Sequence, residues 1–299
     1  MGTLRPPGQR PIDLVMTEAR EHADHEALQP RVRQLVRRAG EIAMAAFGRP
    51  GRAWEKAPGQ IVTEADLAID RYLHRALGEL LPKAAWLSEE SVDDGHRLEA
   101  RCVWVVDPID GTRSFANRKP EFTISVALVA GDRPILASLL NPATGEHFEA
   151  LVGRGATLNG QRLAVREPAA AQSPRIVLSA GERRTRDFHS MLPTAELSTI
   201  GSLAYKMALV AAGRFDAYFS WRRSHDWDIA AAMLVLEEAG GRLSDRAGSP
   251  LRLNRPAPRH AGLIAAPPLL QDELVALSLR ALDRLEAMDG TGLPRSGRT

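Results

Sequence analysis

A chain of 299 residues, of which 44% are hydrophobic and 25% are charged, is long enough to bury one large core or two medium ones. Its 39 Lys and Arg residues nearly balance 37 Asp and Glu residues, which argues against a nucleic-acid polymer or an anionic membrane as its main partner. A single cysteine, Cys102, excludes an intrachain disulfide, and no apolar run reaches the roughly 18 residues that insertion into a membrane requires. Because no early apolar stretch resembles a signal sequence, we expect a cytoplasmic protein.

The first half of the chain predicts two helices and then strands. Residues 1–28 carry several prolines without an apolar period, so we expect a loose arm there. Apolar side chains at three- and four-residue spacing predict helices over residues 31–47 and 64–81, and Pro82 stops the second. Short apolar runs rich in β-branched residues predict the strands that follow: Val103–Val106, ending at Asp107, then Phe122–Val129 and Pro134–Leu140.

The second half repeats the alternation of helices and strands after a Pro- and Ala-rich linker at residues 168–174. The predicted elements are strands at Arg175–Ser179 and Ala217–Phe219, and helices at Ser202–Ala212 and Ile229–Ala239. This alternation favours a layered α/β (α+β) architecture. We expect a metal-binding domain over residues 29–165, a substrate-completing domain over residues 166–288 and a frayed tail over residues 289–299.

Acidic residues stand at the ends of apolar elements, where a strand or helix can hold a carboxylate rigidly. They form four clusters: Thr63-Glu64-Ala65-Asp66, Glu89-Glu90, Asp107-Pro108-Ile109-Asp110-Gly111-Thr112 and Asp226-Trp227-Asp228. In the third cluster Pro108 should end strand pairing, so that Asp107 and Asp110 converge with the Ile109 carbonyl between them. Gly111 permits a tight turn in which its own amide and that of Thr112 face an anion. Oxygen donors of this kind suit Mg²⁺ rather than zinc, and two or three such ions can clamp a phosphate.

Each cluster also has a simpler interpretation when it is taken alone. Thr63 and Asp228 could be helix N-caps, Glu89-Glu90 a solvated pair in a loop, and Asp110-Gly111 an ordinary turn. Their joint occurrence favours the functional interpretation, and Asp107-Pro108-Ile109-Asp110-Gly111-Thr112 after a strand is specific enough that chance is a poor explanation. The adjacent residues Ser224-His225-Asp226 do not predict a catalytic triad, because no nucleophile motif surrounds Ser224.

These motifs resemble the inositol monophosphatase superfamily of Mg²⁺-dependent, lithium-sensitive phosphatases, from about Lys56 to Gly241. The blocks that carry the resemblance are Val62-Thr63-Glu64-Ala65-Asp66, Leu87-Ser88-Glu89-Glu90-Ser91, Trp104-Val105-Val106-Asp107-Pro108-Ile109-Asp110-Gly111-Thr112 and Trp227-Asp228-Ile229-Ala230-Ala231-Ala232.

The resemblance implies alternating layers of helix and sheet, and a homodimer is common among similar proteins. It also implies a set of metal ligands: Glu89, Asp107, Asp110, Asp228 and the Ile109 carbonyl. Thr112, Asp66 and Glu89 would act in catalysis, with Thr112 and Asp66 orienting or deprotonating the attacking water. The residues expected to contact a small phosphate ester are Gly111, Thr112, Ser202, Lys206 and Asp228.

Several residues favour one branch of the superfamily, the 3′(2′),5′-bisphosphate nucleotidases, which convert 3′-phosphoadenosine 5′-phosphate to AMP. They are Lys56, Ser88, Glu121-Phe122-Thr123, Lys206 and Trp221. Lys206 would bind a second phosphate, or would simply be a solvated lysine on a helix. The alternatives are an inositol-1-monophosphatase, a sugar bisphosphatase with the same mechanism, and a non-catalytic regulator that kept the fold.

Overall fold

The computed structural model describes residues 12–48, 52–57, 60–169, 172–185 and 192–290. Within these ranges, helix layers alternate with sheet layers, which confirms the layered architecture expected from the sequence. No helix in the described ranges is both long and apolar enough to cross a membrane.

The N-terminal half forms two outer helices, a small hairpin and a seven-stranded sheet with strand order β3-β4-β5-β6-β7-β8-β9. All neighbours in this sheet are antiparallel except β3 and β4, which are parallel. The elements are α1 (Ile12–Phe47), β1 (Ala53–Ala57), β2 (Gln60–Thr63), α2 (Glu64–Leu80), β3 (Ala85–Ser88), a 3₁₀ turn (His96–Leu98), β4 (Cys102–Asp110), α3 (Thr112–Ala116), β5 (Thr123–Ala130), β6 (Arg133–Asn141), β7 (Glu146–Leu151), β8 (Gly155–Leu158) and β9 (Gln161–Arg162).

The C-terminal half forms a five-stranded sheet with strand order β11-β10-β12-β14-β13, and the helices that pack on both of its faces. The elements are β10 (Arg175–Leu178), α4 (Ala180–Thr185), β11 (Glu196–Thr199), α5 (Leu203–Ala211), β12 (Ala217–His225), α6 (Asp226–Glu238), β13 (Arg242–Ser244), β14 (Arg259–Ala266) and α7 (Pro268–Gly290).

The two-residue period of β4 shows how the layers are joined. Val103 and Val105 point into a core shared with α5 and α6, whereas Trp104 and Val106 point into a core shared with α1 and α2. Helix α6 is apolar around its whole circumference, because it lies between the two sheets and is buried by both. A third core fills the space between the five-stranded sheet and α7.

Several boundaries differ from the sequence predictions, among them those of α1, β4 and α7, and β12 continues from the predicted Ala217–Phe219 to His225. Helix α1 begins at Ile12, so part of the expected loose arm is helical, and Pro30 lies inside the helix rather than before it. Strand β4 continues through Pro108 to Asp110, because a bulge opposite β5 accommodates the proline, which has no N–H to donate. Helix α7 continues to Gly290, past the predicted start of the frayed tail.

The remaining parts of both terminal segments, residues 1–11 and 291–299, lie outside the described residues. The division into two domains near residue 165 stays a prediction.

The central position of α6 predicts that its apolar side chains carry much of the stability. Leu236 is fully buried, so Leu236→Ala should lower the free energy of unfolding by about 2–5 kcal/mol, since it removes buried surface and leaves a cavity. Leu279 on α7 is 42% exposed and provides the matched control, with an expected loss near the roughly 0.5 kcal/mol typical of surface changes. Urea denaturation measures both, and equal losses would contradict the burial argument.

Candidate active site

The structure brings together three of the predicted carboxylates from two distant segments. Asp107 and Asp110 lie at the end of β4, Asp228 lies in the first turn of α6, and one oxygen atom from each lies within 4.8 Å of the others. Both β4 carboxylates are buried, and the side chain of Asp228 is 20% exposed. Glu89 follows the last residue of β3, which pairs with Val106, so this fourth carboxylate is held at the same end of the sheet.

The bulge in β4 turns two aspartates toward one point. Asp107 pairs with Ser125 and Asp110 with Thr123, so β4 carries one more residue than β5 over this stretch. The Asp107 carboxylate accepts a hydrogen bond from the backbone N–H of Ile109 at 3.0 Å, which fixes its direction. Gly111 then has φ +96°, and a Cβ atom there would lie 2.8 Å from the Glu121 carbonyl oxygen. The turn therefore requires glycine.

The N-terminus of α5 holds the Asp110 carboxylate in place. This carboxylate accepts hydrogen bonds from the backbone N–H groups of Leu203 at 3.1 Å and Ala204 at 2.6 Å, and from the Ser202 hydroxyl. Ser202 also caps the helix, since its Oγ accepts from the N–H of Tyr205 at 3.0 Å. The positive end of the helix thus stabilises a buried negative charge. This contact gives Ser202 a defined role beside a carboxylate, and contact of Ser202 with substrate stays a prediction.

Asp228 is not an N-cap, because α6 begins at Asp226 and its N-cap residue is His225. Asp228 is the third residue of the helix, and its carboxylate accepts the backbone N–H of His225 at 2.5 Å. The Asp226 carboxylate instead forms hydrogen bonds with the backbone N–H of Asn254 at 2.6 Å and with His260 Nε2 at 2.7 Å. The structure therefore forms no triad from the run Ser224-His225-Asp226, as the sequence analysis expects.

Thr112 and Asp66 form a hydrogen-bonded pair next to the cluster. Thr112 Oγ1 lies 3.1 Å from Asp66 Oδ1 and 3.0 Å from the Ile109 carbonyl oxygen. The other Asp66 oxygen accepts from the backbone N–H of Thr63 at 2.9 Å and from its hydroxyl at 2.5 Å. Thr63 is the N-cap of α2, so the capping interpretation of Thr63 is confirmed, and the same contacts fix Asp66 toward Thr112.

Burial and like charge raise the pKa values of Asp107, Glu89 and Asp66. Burial, with the charges of Glu89 and Asp110, raises the pKa of Asp107 well above its ordinary value. Burial raises the pKa of Glu89 to about 7, although Lys56, whose Nζ lies 3.0 Å from Glu89 Oε1, acts in the opposite direction. Burial also raises the pKa of Asp66 to about 6.

This donor set fits Mg²⁺, because it consists only of oxygen atoms, and among the described residues only Glu89 of the set is ion-paired with a lysine, Lys56. The residues that could hold such ions are Glu89, Asp107, Asp110, Asp228 and the Ile109 carbonyl.

Lys206 occupies a position that the sequence did not indicate. Its side chain is buried, and its ammonium group donates to the carbonyl oxygens of Ser202 at 2.7 Å and Ile200 at 3.2 Å. Burial lowers the pKa of Lys206 to about 8. The interpretation as a solvated helix lysine is therefore wrong, and these contacts argue against a direct contact with a second phosphate. Trp221 is also buried, and its ring packs against Phe219 with centroids 5.6 Å apart.

Sequence comparison agrees with this geometry. A sequence model described as the inositol monophosphatase family matches residues 24–283. The chain belongs to the inositol monophosphatase family. Human inositol monophosphatase 1 is 31% identical over 232 residues, which cover 73% of this chain and 83% of the relative. The fructose-1,6-bisphosphatase/inositol-1-monophosphatase of Thermotoga maritima is 34% identical over 231 residues, covering 72% of this chain and 83% of that protein.

The similarity extends to solved structures and to a relative that is named as a Nus factor. The Thermotoga maritima inositol monophosphatase structure matches with a TM-score of 0.76 and 29% identity, covering 85% of this chain and 98% of that one. Nus factor SuhB of Pseudomonas aeruginosa is 34% identical over 231 residues, which cover 72% of this chain and 84% of the relative. This family of phosphatases therefore gives the reaction class of the chain, and the substrate is a separate question.

The support that α5 gives to the carboxylate cluster could not be predicted from the sequence. Gly201-Ser202 before an apolar helix is a recognisable capping signal, but nothing local links Ser202 to Asp110, which is 92 residues away. The contact of Lys56 with Glu89 and Glu90 was missed for the same reason.

The raised carboxyl pKa values predict how stability depends on pH in the absence of metal. In the unfolded chain such a carboxyl group loses its proton at about pH 4, whereas in the folded protein it keeps the proton to higher pH because its pKa is raised. The folded protein therefore binds more protons than the unfolded chain in this range, and its stability falls as pH rises from about 4 through the folded-state pKa. In metal-free buffer, wild-type stability relative to Asp107→Asn should therefore decrease between pH 5 and pH 8, since asparagine does not titrate. Melting temperatures of both proteins measure this, and a difference that does not change with pH would contradict it.

Proposed function

We propose that this chain is a Mg²⁺-dependent phosphomonoesterase that hydrolyses small phosphate esters, with inositol monophosphate as the leading substrate. The observation that carries the proposal is the convergence of Asp107, Asp110 and Asp228 within 4.8 Å, with the Thr112–Asp66 pair beside them. The names of the human and Thermotoga relatives support the choice of substrate, since both include inositol monophosphatase.

The chain's own residues divide into those that hold cations and those that handle the water and the phosphate. Two or three bound Mg²⁺ ions would supply Lewis-acid stabilisation of the phosphoryl oxygens and a lowered pKa of water. The Thr112 hydroxyl donates to Asp66, so its lone pairs can accept a hydrogen bond from water and aim that water at phosphorus; as Thr112 takes the water's proton, its own hydroxyl proton passes to Asp66. Asp66 is the proton acceptor of this pair, because a carboxyl group with a pKa of about 6 is mostly ionised at neutral pH. Gly111 and Thr112 amides bind the phosphate in this proposal.

The nucleotidase substrate, 3′-phosphoadenosine 5′-phosphate, is the second candidate, and several residues that favoured it in the sequence have structural partners. Lys206 binds backbone carbonyls, Trp221 is buried, and the Ser88 hydroxyl donates to Asp70 at 2.5 Å. Lys56 donates to Glu90 Oε1 at 2.6 Å. These contacts explain each residue type without a second phosphate, so inositol monophosphate is the simpler substrate.

A phosphate-release assay separates the candidates. Purified protein with Mg²⁺ is given inositol 1-phosphate, 3′-phosphoadenosine 5′-phosphate and fructose 1,6-bisphosphate in parallel, with Asp110→Asn as the control for contaminating phosphatases. We expect the highest kcat/KM for inositol 1-phosphate and almost no activity in the variant. Preference for the nucleotide would overturn the substrate choice, while no activity on any of the three would favour the non-catalytic alternative.

The Thr112 hydroxyl has a predicted kinetic signature. Thr112→Ala should lower kcat by about 10²–10⁴-fold, the usual contribution of general acid–base groups, with little change in the melting temperature. Thr112→Ser keeps the hydroxyl and should retain most of the activity, which separates the chemistry from the packing of the methyl group. If Thr112→Ala keeps the wild-type kcat, the hydroxyl is not in the reaction path.

A further inference from the structure

A second groove opens away from the carboxylate cluster, between helix α2 and strand β3. Its volume is about 540 Å³, and none of its lining residues belongs to the proposed active site. Strand β3 is an edge strand of the seven-stranded sheet, so the groove lies on the outer side of the molecule. Its size is within the range of pockets that bind small organic ligands, which is roughly 300–1,000 Å³.

The helix side of the groove presents unpaired positive charge. Arg71 and Arg75 are exposed and stand four residues apart, so they share one face of α2. Within the described residues neither guanidinium forms an ion pair, unlike Arg33, whose Nε lies 2.8 Å from Glu149 Oε1. Glu79 also lines the groove and does not neutralise either arginine by an ion pair. The groove therefore attracts anions and can bind them through planar forks of N–H donors.

The sheet side of the groove is aromatic and has one unsatisfied donor. Trp86 and Trp104 are paired on neighbouring strands and both line the groove. The indole N–H of Trp104 is buried, and among the described residues it has no hydrogen-bond partner. A buried N–H without a partner is costly, so this donor is a local source of instability beside the groove.

The rings of His74, on the helix side of the groove, and Trp86, on the sheet side, stack on each other. The His74 and Trp86 rings stack with centroids 4.6 Å apart and planes 18° apart. His74 is exposed, which leaves room for a third planar ring to extend the stack.

Gly78 keeps the groove open at the next turn of α2. It stands four residues after His74 and lines the groove, and a Cβ atom built there would meet no atom within 4 Å. A larger side chain at position 78 would therefore enter the groove without disturbing the helix.

We propose that this groove is a binding site for a nucleoside phosphate. Arg71 and Arg75 bind the phosphate groups, and the base stacks on His74 beside Trp86. Neither part of the site is explained by phosphatase chemistry, because the groove contains no carboxylate cluster and no hydroxyl–carboxylate pair. The site requires both the charge and the ring of its ligand, which distinguishes it from a simple anion site.

The test uses the full chain freed of divalent cations, because the carboxylate cluster then repels anions and the proposed active site does not contribute. ATP, adenosine and inorganic triphosphate are titrated separately, with calorimetry giving Kd and the fluorescence of the five tryptophans, compared between wild type and Trp86→Phe, reporting on the groove. We expect ATP to bind and to change the fluorescence, and each of the other two to bind about tenfold or more weakly. Triphosphate binding as tightly as ATP would overturn the role of the aromatic stack, and no ATP binding would overturn the site.

Substitutions test whether ATP binds in this groove. Arg71→Ala combined with Arg75→Ala should raise the Kd for ATP by about tenfold or more, while Arg280→Ala, an exposed arginine on α7 in the opposite outer layer, should leave it unchanged. Gly78→Leu should abolish binding by filling the groove while the phosphatase activity stays at the wild-type level, which separates this site from the proposed function. Wild-type ATP affinity in both the arginine and Gly78 variants would overturn the assignment.

Discussion

Repulsion among the buried carboxylates is the constraint around which this fold is built. Asp107, Asp110 and Asp228 offer oxygens within 4.8 Å of one another, which is unfavourable without cations. Backbone N–H groups hold each of them against this repulsion: Ile109 for Asp107, the start of α5 for Asp110, and His225 for Asp228. Because these donors belong to the backbone, the geometry depends on the position of whole elements, including two helix N-termini and a β-bulge.

The layered architecture supplies that positioning. Helix α6 carries Asp228 and lies between the two sheets, so packing in the centre of the protein fixes the height of this carboxylate relative to β4. Helix α5 packs against α6 and presents its first turn to Asp110. Lys206, on the same helix, donates hydrogen bonds to the carbonyl oxygens of Ile200 and Ser202, which immediately precede the first turn of the helix. A side chain that resembles a ligand for phosphate thus acts as part of the scaffold that holds Asp110, a proposed metal ligand.

The sequence predicted what depends on local pattern and missed what depends on distant partners. Asp107, Asp110 and Asp228 could be recognised because each stands at one end of an apolar element, and the unbroken apolar run from Val103 to Val106 predicted a buried strand. The burial of Lys206 could not be read from a helix that is apolar nearly all round, since periodicity does not show which polar residue meets a carbonyl. Strand pairing through Pro108 was also missed, because only a bulge opposite β5 makes it possible.

Catalysis and substrate choice depend on different parts of the proposed site. In the proposed reaction the carboxylates, Thr112 and Asp66 act on the phosphate group, which every candidate substrate shares. Discrimination must come from side chains at the rim that touch the rest of the substrate. The partly exposed rings of His225 and Trp227 stack with centroids 4.5 Å apart, directly before Asp228 in the chain. Buried residues such as Trp221 and Lys206 can influence the rim only through the elements they support.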